Sequence, residues 1–179
     1  MGDMKMLRLS RFVGAVPKFL DGMEAAARAA TSIAYVDDAA QPLEDEPFAK
    51  RERAQFQDLG HTLVPVTIGD VTVDDLSTVL DGVDAIYVAG GMADHLLDVL
   101  RHTETDAILA DRVRAGLPYI GVSAGAIIMG TSIDPAIALD GPTKGVSLED
   151  YSGLGLVDAV ILPHADGLLP PIHRRLSLR

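Results

Sequence analysis

A serine between two glycines is the feature of this sequence that most suggests chemistry. Gly121-Val122-Ser123-Ala124-Gly125 fits the pattern G-x-S-x-G, in which a strand turns sharply into a helix with the serine at the corner. The two glycines remove side chains that would clash in so tight a turn, although such glycines also serve ordinary helix–strand packing. The pattern indicates a nucleophilic serine, Ser123, at the carboxyl edge of a sheet, beside the positive end of a helix.

A nucleophilic serine needs a general base and donors for an oxyanion. Of the five histidines, His164 follows an apolar run, Leu156 to Leu162, that we interpret as a strand. It is therefore expected where parallel sheets place functional groups, and a capping or core role is the alternative. Gly91 closes a glycine pair after the preceding strand. Its backbone N–H and that of Ala124 are the predicted oxyanion donors.

Composition excludes several classes of protein and partner. The 179 residues are enough for one domain with a substantial core, and 48% of them are hydrophobic, with a mean hydropathy of +0.23. The absence of cysteine excludes disulfides and thiolate chemistry. A net charge of −11 argues against nucleic acid and anionic membranes as partners. We expect a cytoplasmic protein without a metal or cofactor, because the chain has no apolar signal core and no metal-ligand pattern.

Strand and helix signals alternate as far as the elbow, which predicts an α/β fold with a mostly parallel central sheet between helical layers. The predicted strands are 4–9, 32–36, 61–68, 85–89, 118–122 and 156–162, with Pro65 indicating an edge position. The predicted helices are 18–30, 48–59, 73–80, 94–100, 106–115 and 124–131. Prolines and glycines between Pro135 and Gly155 predict loops and a short hairpin.

Three stretches resemble those of a known family. They are Tyr87 to Gly91 with Leu96-Leu97 behind it, Gly116 to Ala126, and Leu162-Pro163-His164. With their spacing, the chain resembles peptidase family S51, the dipeptidase E and cyanophycinase group. The resemblance implies a three-layer sandwich like that of class I glutamine amidotransferases, which is flavodoxin-like, and a serine peptidase that releases an N-terminal aspartate from small peptides.

The resemblance also implies roles for individual residues. By position, Ser123 matches the family's nucleophile, His164 its general base, and Gly91 and Ala124 its oxyanion donors. An arginine after the histidine recognises the acidic side chain of the substrate in the family.

Two parts of the substrate pocket correspond less directly to the family. The nearest counterparts of its arginine are Arg174 and Arg175. Met92-Ala93 stands where the family usually has Asn-Thr, so this part of the pocket is expected to differ.

The orienting acid of the triad has no clear counterpart. The family supplies it from a later strand and loop, so we expect one domain over residues 1–179 that lacks the C-terminal part of the family fold. The candidates within the chain are Asp166, Glu149, Asp150 and Asp158, and a partner subunit is another source.

Three functions are therefore open. The leading one is an Asp-X dipeptidase that forms an acyl-enzyme on Ser123, with a small acidic peptide and a second copy of the chain as expected partners. The second is a degenerate family member that binds a small acidic ligand or acts as a subunit. The third is an α/β-hydrolase-type esterase, in which Asp140 or Glu149 would be the acid between the serine and the histidine.

Overall fold

A parallel sheet forms the centre of the part of the chain that the structure describes. The computed structural model describes residues 4–11, 13–22, 31–43 and 47–164. Its strands are β1 (Met6–Leu9), β2 (Ser32–Val36), β3 (Thr62–Val66), β4 (Ala85–Val88) and β5 (Tyr119–Val122). They lie in the order β1-β5-β4-β2-β3, and every pairing is parallel. Pro65 therefore lies in an edge strand, as predicted.

The helices follow the predicted alternation with the strands. They are α1 (Val16–Asp21), α2 (Pro47–Gln57), α3 (Val73–Asp81), α4 (Ala93–His102), α5 (Asp106–Arg114), α6 (Ala124–Ile127) and α7 (Asp134–Asp140). The predicted helix 18–30 is confirmed as far as Asp21, and its last eight residues lie outside the described ranges. Within those ranges, no helix has the length and apolarity needed to cross a membrane.

Side chains of the central strands alternate between two cores, because successive residues of a strand point to opposite faces. Ala34 and Ile86 pack in one core with apolar residues of α3, α4 and α5. Ile33 and Tyr87 pack in the other core with residues of α1 and α2. Helices thus cover both faces of the sheet, and the predicted three-layer α/β fold is confirmed.

The predicted strand 156–162 is wrong. Leu156 N donates to Met129 O (2.9 Å) and Thr131 N donates to Ala159 O (3.0 Å), so the segment bonds to the chain after α6 instead of joining the sheet. Its later apolar side chains are not in a core, since Leu162 is 45% exposed. Local apolar character predicted a strand here, but the pairing partner is an irregular segment.

Two further differences lie around this segment. α6 ends at Ile127, four residues before the predicted end, and α7 occupies Asp134–Asp140, where loops were predicted. An isolated antiparallel bridge between Ser132 and Ser152 stands in place of the predicted hairpin.

An aromatic cluster holds α2 on the sheet. Phe56 of α2 is fully buried, and its ring centroid lies 4.2 Å from that of Tyr87 in β4. Tyr87 in turn stacks on Tyr35 of β2 at 5.2 Å. This packing fixes the distance between α2 and the carboxyl edge of the sheet.

Truncating Phe56 should therefore destabilise the fold. We expect Phe56→Ala to lower the free energy of unfolding by about 3–5 kcal/mol, the usual cost of removing a buried phenylalanine. Val160→Ala, at a side chain that is 44% exposed, should cost less than about 1 kcal/mol. Urea denaturation measures both, and equal losses would contradict the packing described.

Candidate active site

Ser123 occupies a strained corner between β5 and α6. Its backbone has φ 46° and ψ −106°, a conformation that non-glycine residues rarely adopt. A Cβ at Gly121 would overlap the carbonyl oxygen of Gly125, and a Cβ at Gly125 would overlap that of Val88. The Tyr119 hydroxyl donates to Gly125 O (2.8 Å) and ties the start of α6 to β5. The elbow predicted from the sequence is therefore present, and both glycines are required by close backbone contact.

His164 reaches the elbow from the segment that follows residue 156. Its Nε2 lies 3.0 Å from Ser123 Oγ. The backbone N–H of His164 donates to Ser10 Oγ (2.8 Å), and the same hydroxyl lies 3.1 Å from His164 Nδ1. His164 has φ 63°, so Ser10 binds both the backbone and the ring of a residue in an uncommon conformation. The two residues predicted to act together are in hydrogen-bond contact.

Arg11 contacts the same imidazole. Its Nε–H donates to His164 Nδ1 at 3.2 Å. Because a guanidinium can only donate, this bond requires Nδ1 to be unprotonated and places the ring proton on Nε2. Arg11 Nη2 is buried and has no hydrogen-bond partner among the described residues. In this arrangement, Nε2 donates to Ser123 Oγ.

The predicted oxyanion donors lie on either side of Ser123. Gly91 has φ 145°, and a Cβ there would overlap the carbonyl oxygen of Ala39, so only glycine fits. Ala124 is the first residue of α6, and its N–H has no acceptor within the helix. Among the described residues, neither N–H donates to another group.

A cavity of about 340 Å³ opens in front of the serine. Apart from Ser123, His164 and Gly91, its lining includes side chains that the sequence analysis did not select. These are Ser10, Arg11, Arg51, Glu52 and Gln55. The chain is strongly acidic, but its cavity is lined by two guanidinium groups and one carboxylate.

Glu52 of α2 is held against the strand that precedes the glycine pair. Its Oε1 accepts hydrogen bonds from the Tyr87 hydroxyl (2.9 Å) and from Gly90 N (3.0 Å). Burial raises the pKa of Glu52 above its ordinary value, and the two hydrogen bonds oppose that rise. The sequence carried a signal for this residue, since Glu52 lies four positions from both Phe48 and Phe56 and therefore on the apolar face of the helix.

Ser10 and Arg11 also had a signal in the sequence. They follow β1 directly, and the carboxyl ends of parallel strands meet at one edge of a sheet. The same rule selected His164, although the predicted strand before it is absent.

The predicted candidates for the orienting acid have different surroundings in the part of the chain that the structure describes. Glu149 and Asp158 are exposed, and Asp150 pairs with Arg101, with Nη2 and Oδ2 3.2 Å apart. Desolvation raises the pKa of Asp140 above its ordinary value, and the charge that His164 carries when protonated opposes that rise. Asp166, Arg174 and Arg175 lie outside the described residues.

Comparison with known proteins identifies the family. The model of peptidase family S51 matches residues 11–174, which include the elbow, the glycine pair and His164. The chain belongs to peptidase family S51. The predicted family is confirmed, and the S51 fold accounts for the sandwich described above.

Two similar proteins extend the comparison. The chain is 32% identical over 121 residues to an uncharacterized peptidase of Listeria innocua, covering 68% of this chain and 58% of that protein. It is 27% identical over 141 residues to a Peptidase E of Nostoc, covering 79% of this chain and 55% of the relative. The matched region thus spans little more than half the length of these relatives.

A solved structure agrees over a larger share of its chain. The crystal structure of a candidate Peptidase E protein from Listeria monocytogenes matches with a TM-score of 0.83 and 27% identity. The match covers 97% of this S51 chain and 87% of that one.

The close contact at Gly125 should make the elbow intolerant of a single added methyl group. We expect Gly125→Ala to lower the free energy of unfolding by about 1–3 kcal/mol or more through overpacking against Val88. Gly14→Ala is the matched control, because a Cβ there has no atom within 4 Å. Urea denaturation measures both variants, and a Gly125→Ala protein as stable as Gly14→Ala would contradict the contact.

The raised pKa of Glu52 predicts a pH dependence of stability. The folded chain binds this proton more tightly than the unfolded chain, whose carboxyl has the ordinary pKa of about 4.5. The contribution of Glu52 to the free energy of unfolding is therefore fully present below that value and is lost as the pH rises through the raised pKa. Urea denaturation of wild type and Glu52→Gln from pH 4 to 8 should show wild type losing stability relative to the variant. A relative gain with rising pH would contradict the buried environment.

Proposed function

We propose that this S51 chain is a serine peptidase that hydrolyses small acidic peptides of the Asp-X type. The single observation that carries the proposal is the 3.0 Å contact between Ser123 Oγ and His164 Nε2 at a strained elbow. Serine and histidine in hydrogen-bond contact are the minimal pair for nucleophilic acyl transfer.

The proposed reaction has two steps. Ser123 Oγ attacks the carbonyl carbon of the peptide bond while its proton passes to His164 Nε2, and the oxyanion binds the N–H groups of Gly91 and Ala124. His164 then protonates the leaving amine as the C–N bond breaks, which leaves an acyl ester on Ser123. Water, deprotonated by His164, hydrolyses the ester and restores both residues.

Arg11 and Arg51 support the acidic substrate. Both line the cavity with Ser123, in a chain of net charge −11. Arg11 must also leave His164 for the reaction, since Nε2 accepts the serine proton only when Nδ1 carries the ring proton. A carboxylate of the substrate would draw Arg11 away, and Nδ1–H would then donate to Ser10 Oγ.

Ser10 is the proposed orienting group at Nδ1, and Asp140 the proposed source of negative charge near the imidazolium. The hydroxyl fixes the ring position, as an acid does in the usual triad. Desolvation raises the pKa of Asp140 and a protonated His164 opposes that rise, which supports a charge interaction between the two side chains.

A second candidate function is the binding of a small acidic ligand without turnover. The donation of Arg11 Nε to His164 Nδ1 favours it, because this tautomer cannot take the serine proton. A rise in melting temperature with Asp-Leu in the absence of hydrolysis would support binding alone.

Labelling and turnover separate the two functions. We expect a fluorophosphonate to label wild type at Ser123 and not Ser123→Ala, and Asp-Leu to be hydrolysed. His164→Ala should lower both rates by at least about 10³-fold, because the general base is lost. The exposed Ser147→Ala and His102→Ala are matched controls expected to behave as wild type. Failure of wild type to hydrolyse any Asp-X dipeptide would contradict the peptidase proposal.

A further inference from the structure

Glu52 places a carboxylate oxygen in the cavity beside the proposed nucleophile. Its Oε1 already accepts two hydrogen bonds, from Tyr87 and Gly90, while Oε2 has no hydrogen-bond partner among the described residues. A Cβ built on Gly90 would lie 3.1 Å from Glu52 Oε2 and 3.4 Å from Ser123 Cβ. Since both atoms lie this close to one point, Glu52 Oε2 is no more than about 6.5 Å from Ser123 Cβ.

This upper bound is compatible with the geometry of a free peptide N-terminus. In an N-terminal residue, the ammonium nitrogen lies about 2.5 Å from the carbonyl carbon, because only Cα separates them. The carbonyl carbon must approach Ser123 Oγ to about 3–3.5 Å for attack. A carboxylate oxygen that accepts a hydrogen bond from this ammonium group at about 2.8 Å must therefore lie within about 8–9 Å of Ser123 Oγ. Glu52 Oε2 lies inside that limit.

We propose that Glu52 binds the α-ammonium group of the substrate and so restricts hydrolysis to the bond after a free N-terminal residue. This inference rests on the function proposed above for the same cavity. The carboxylate at Glu52 and the guanidinium groups of Arg11 and Arg51 together complement an N-terminal aspartate, which carries one positive and one negative charge. An acylated N-terminus would leave Glu52 buried against a neutral amide, which is unfavourable.

Glu52 also holds the turn that carries a proposed oxyanion donor, so the test must separate the two roles. Glu52→Gln keeps a carbonyl oxygen that can accept hydrogen bonds from the Tyr87 hydroxyl and Gly90 N, and it removes the negative charge. Glu104→Gln, at an exposed site in the turn between α4 and α5, makes the same change of charge away from the cavity.

Calorimetric binding to the Ser123→Ala protein tests the inference without turnover. We expect N-terminal acetylation of Asp-Leu to weaken binding by roughly 10- to 100-fold, the range for losing a charged hydrogen bond. Adding Glu52→Gln should reduce this effect to less than about threefold, while adding Glu104→Gln should leave it unchanged. Affinity for the free peptide should also fall above about pH 8, where an α-amino group loses its proton, and the acetylated peptide should show no such fall.

The outcomes distinguish this inference from the proposed function. An acetylation effect that is absent, or equal with and without Glu52→Gln, overturns the role of Glu52, as does undetectable binding of free Asp-Leu. If wild type hydrolyses Asp-Leu and acetyl-Asp-Leu with equal kcat/KM, the peptidase proposal stands and this inference fails. If Ser123→Ala discriminates as expected but wild type never turns over, the binding of the α-ammonium group by Glu52 stands and the peptidase proposal fails.

Discussion

The contact between the elbow and strand β4 is the constraint on which the rest of the site depends. Gly125 lies so close to the Val88 carbonyl oxygen that α6 can leave β5 only through the strained backbone of Ser123. The same strand carries Tyr87, whose hydroxyl binds Glu52, and it leads directly into the Gly90-Gly91 turn. One buried strand thus positions the proposed nucleophile, a carboxylate and a proposed oxyanion donor, and the strain at the serine is balanced by packing on both sides of the sheet.

The electrostatics of the cavity differ from those of the whole chain. A net charge of −11 would repel an acidic peptide at long range, so recognition must depend on short-range cations in a partly desolvated cavity. Arg11 has two roles in this cavity, since its Nε donates to His164 Nδ1 and its side chain also lines the space that a ligand would fill. The tautomer of His164 is consequently coupled to the position of one guanidinium group, which in the proposed function would connect ligand binding to the chemistry of the serine.

Sequence patterns were sufficient for the layers of the fold, and they selected Ser123 and His164, whose side chains are in hydrogen-bond contact. Apolar periodicity identified the five strands and the helices between them, because each element buries a face in one of two cores. The strand expected before His164 was wrong because its apolar run pairs with residues near Met129, a tertiary choice that local pattern does not encode. Glu52 was missed for a related reason: its spacing from Phe56 indicated the buried face of α2, but its role depends on Tyr87, 35 positions away.

A crystal structure of the chain inhibited by a fluorophosphonate tests the central claim most directly. The claim is that Ser123 is a nucleophile whose oxyanion meets the N–H groups of Gly91 and Ala124. We expect phosphorus bonded to Ser123 Oγ and the phosphoryl oxygen about 2.7–3.1 Å from both nitrogens. An unmodified serine, or an adduct whose oxygen points to solvent and away from both N–H groups, would contradict the claim.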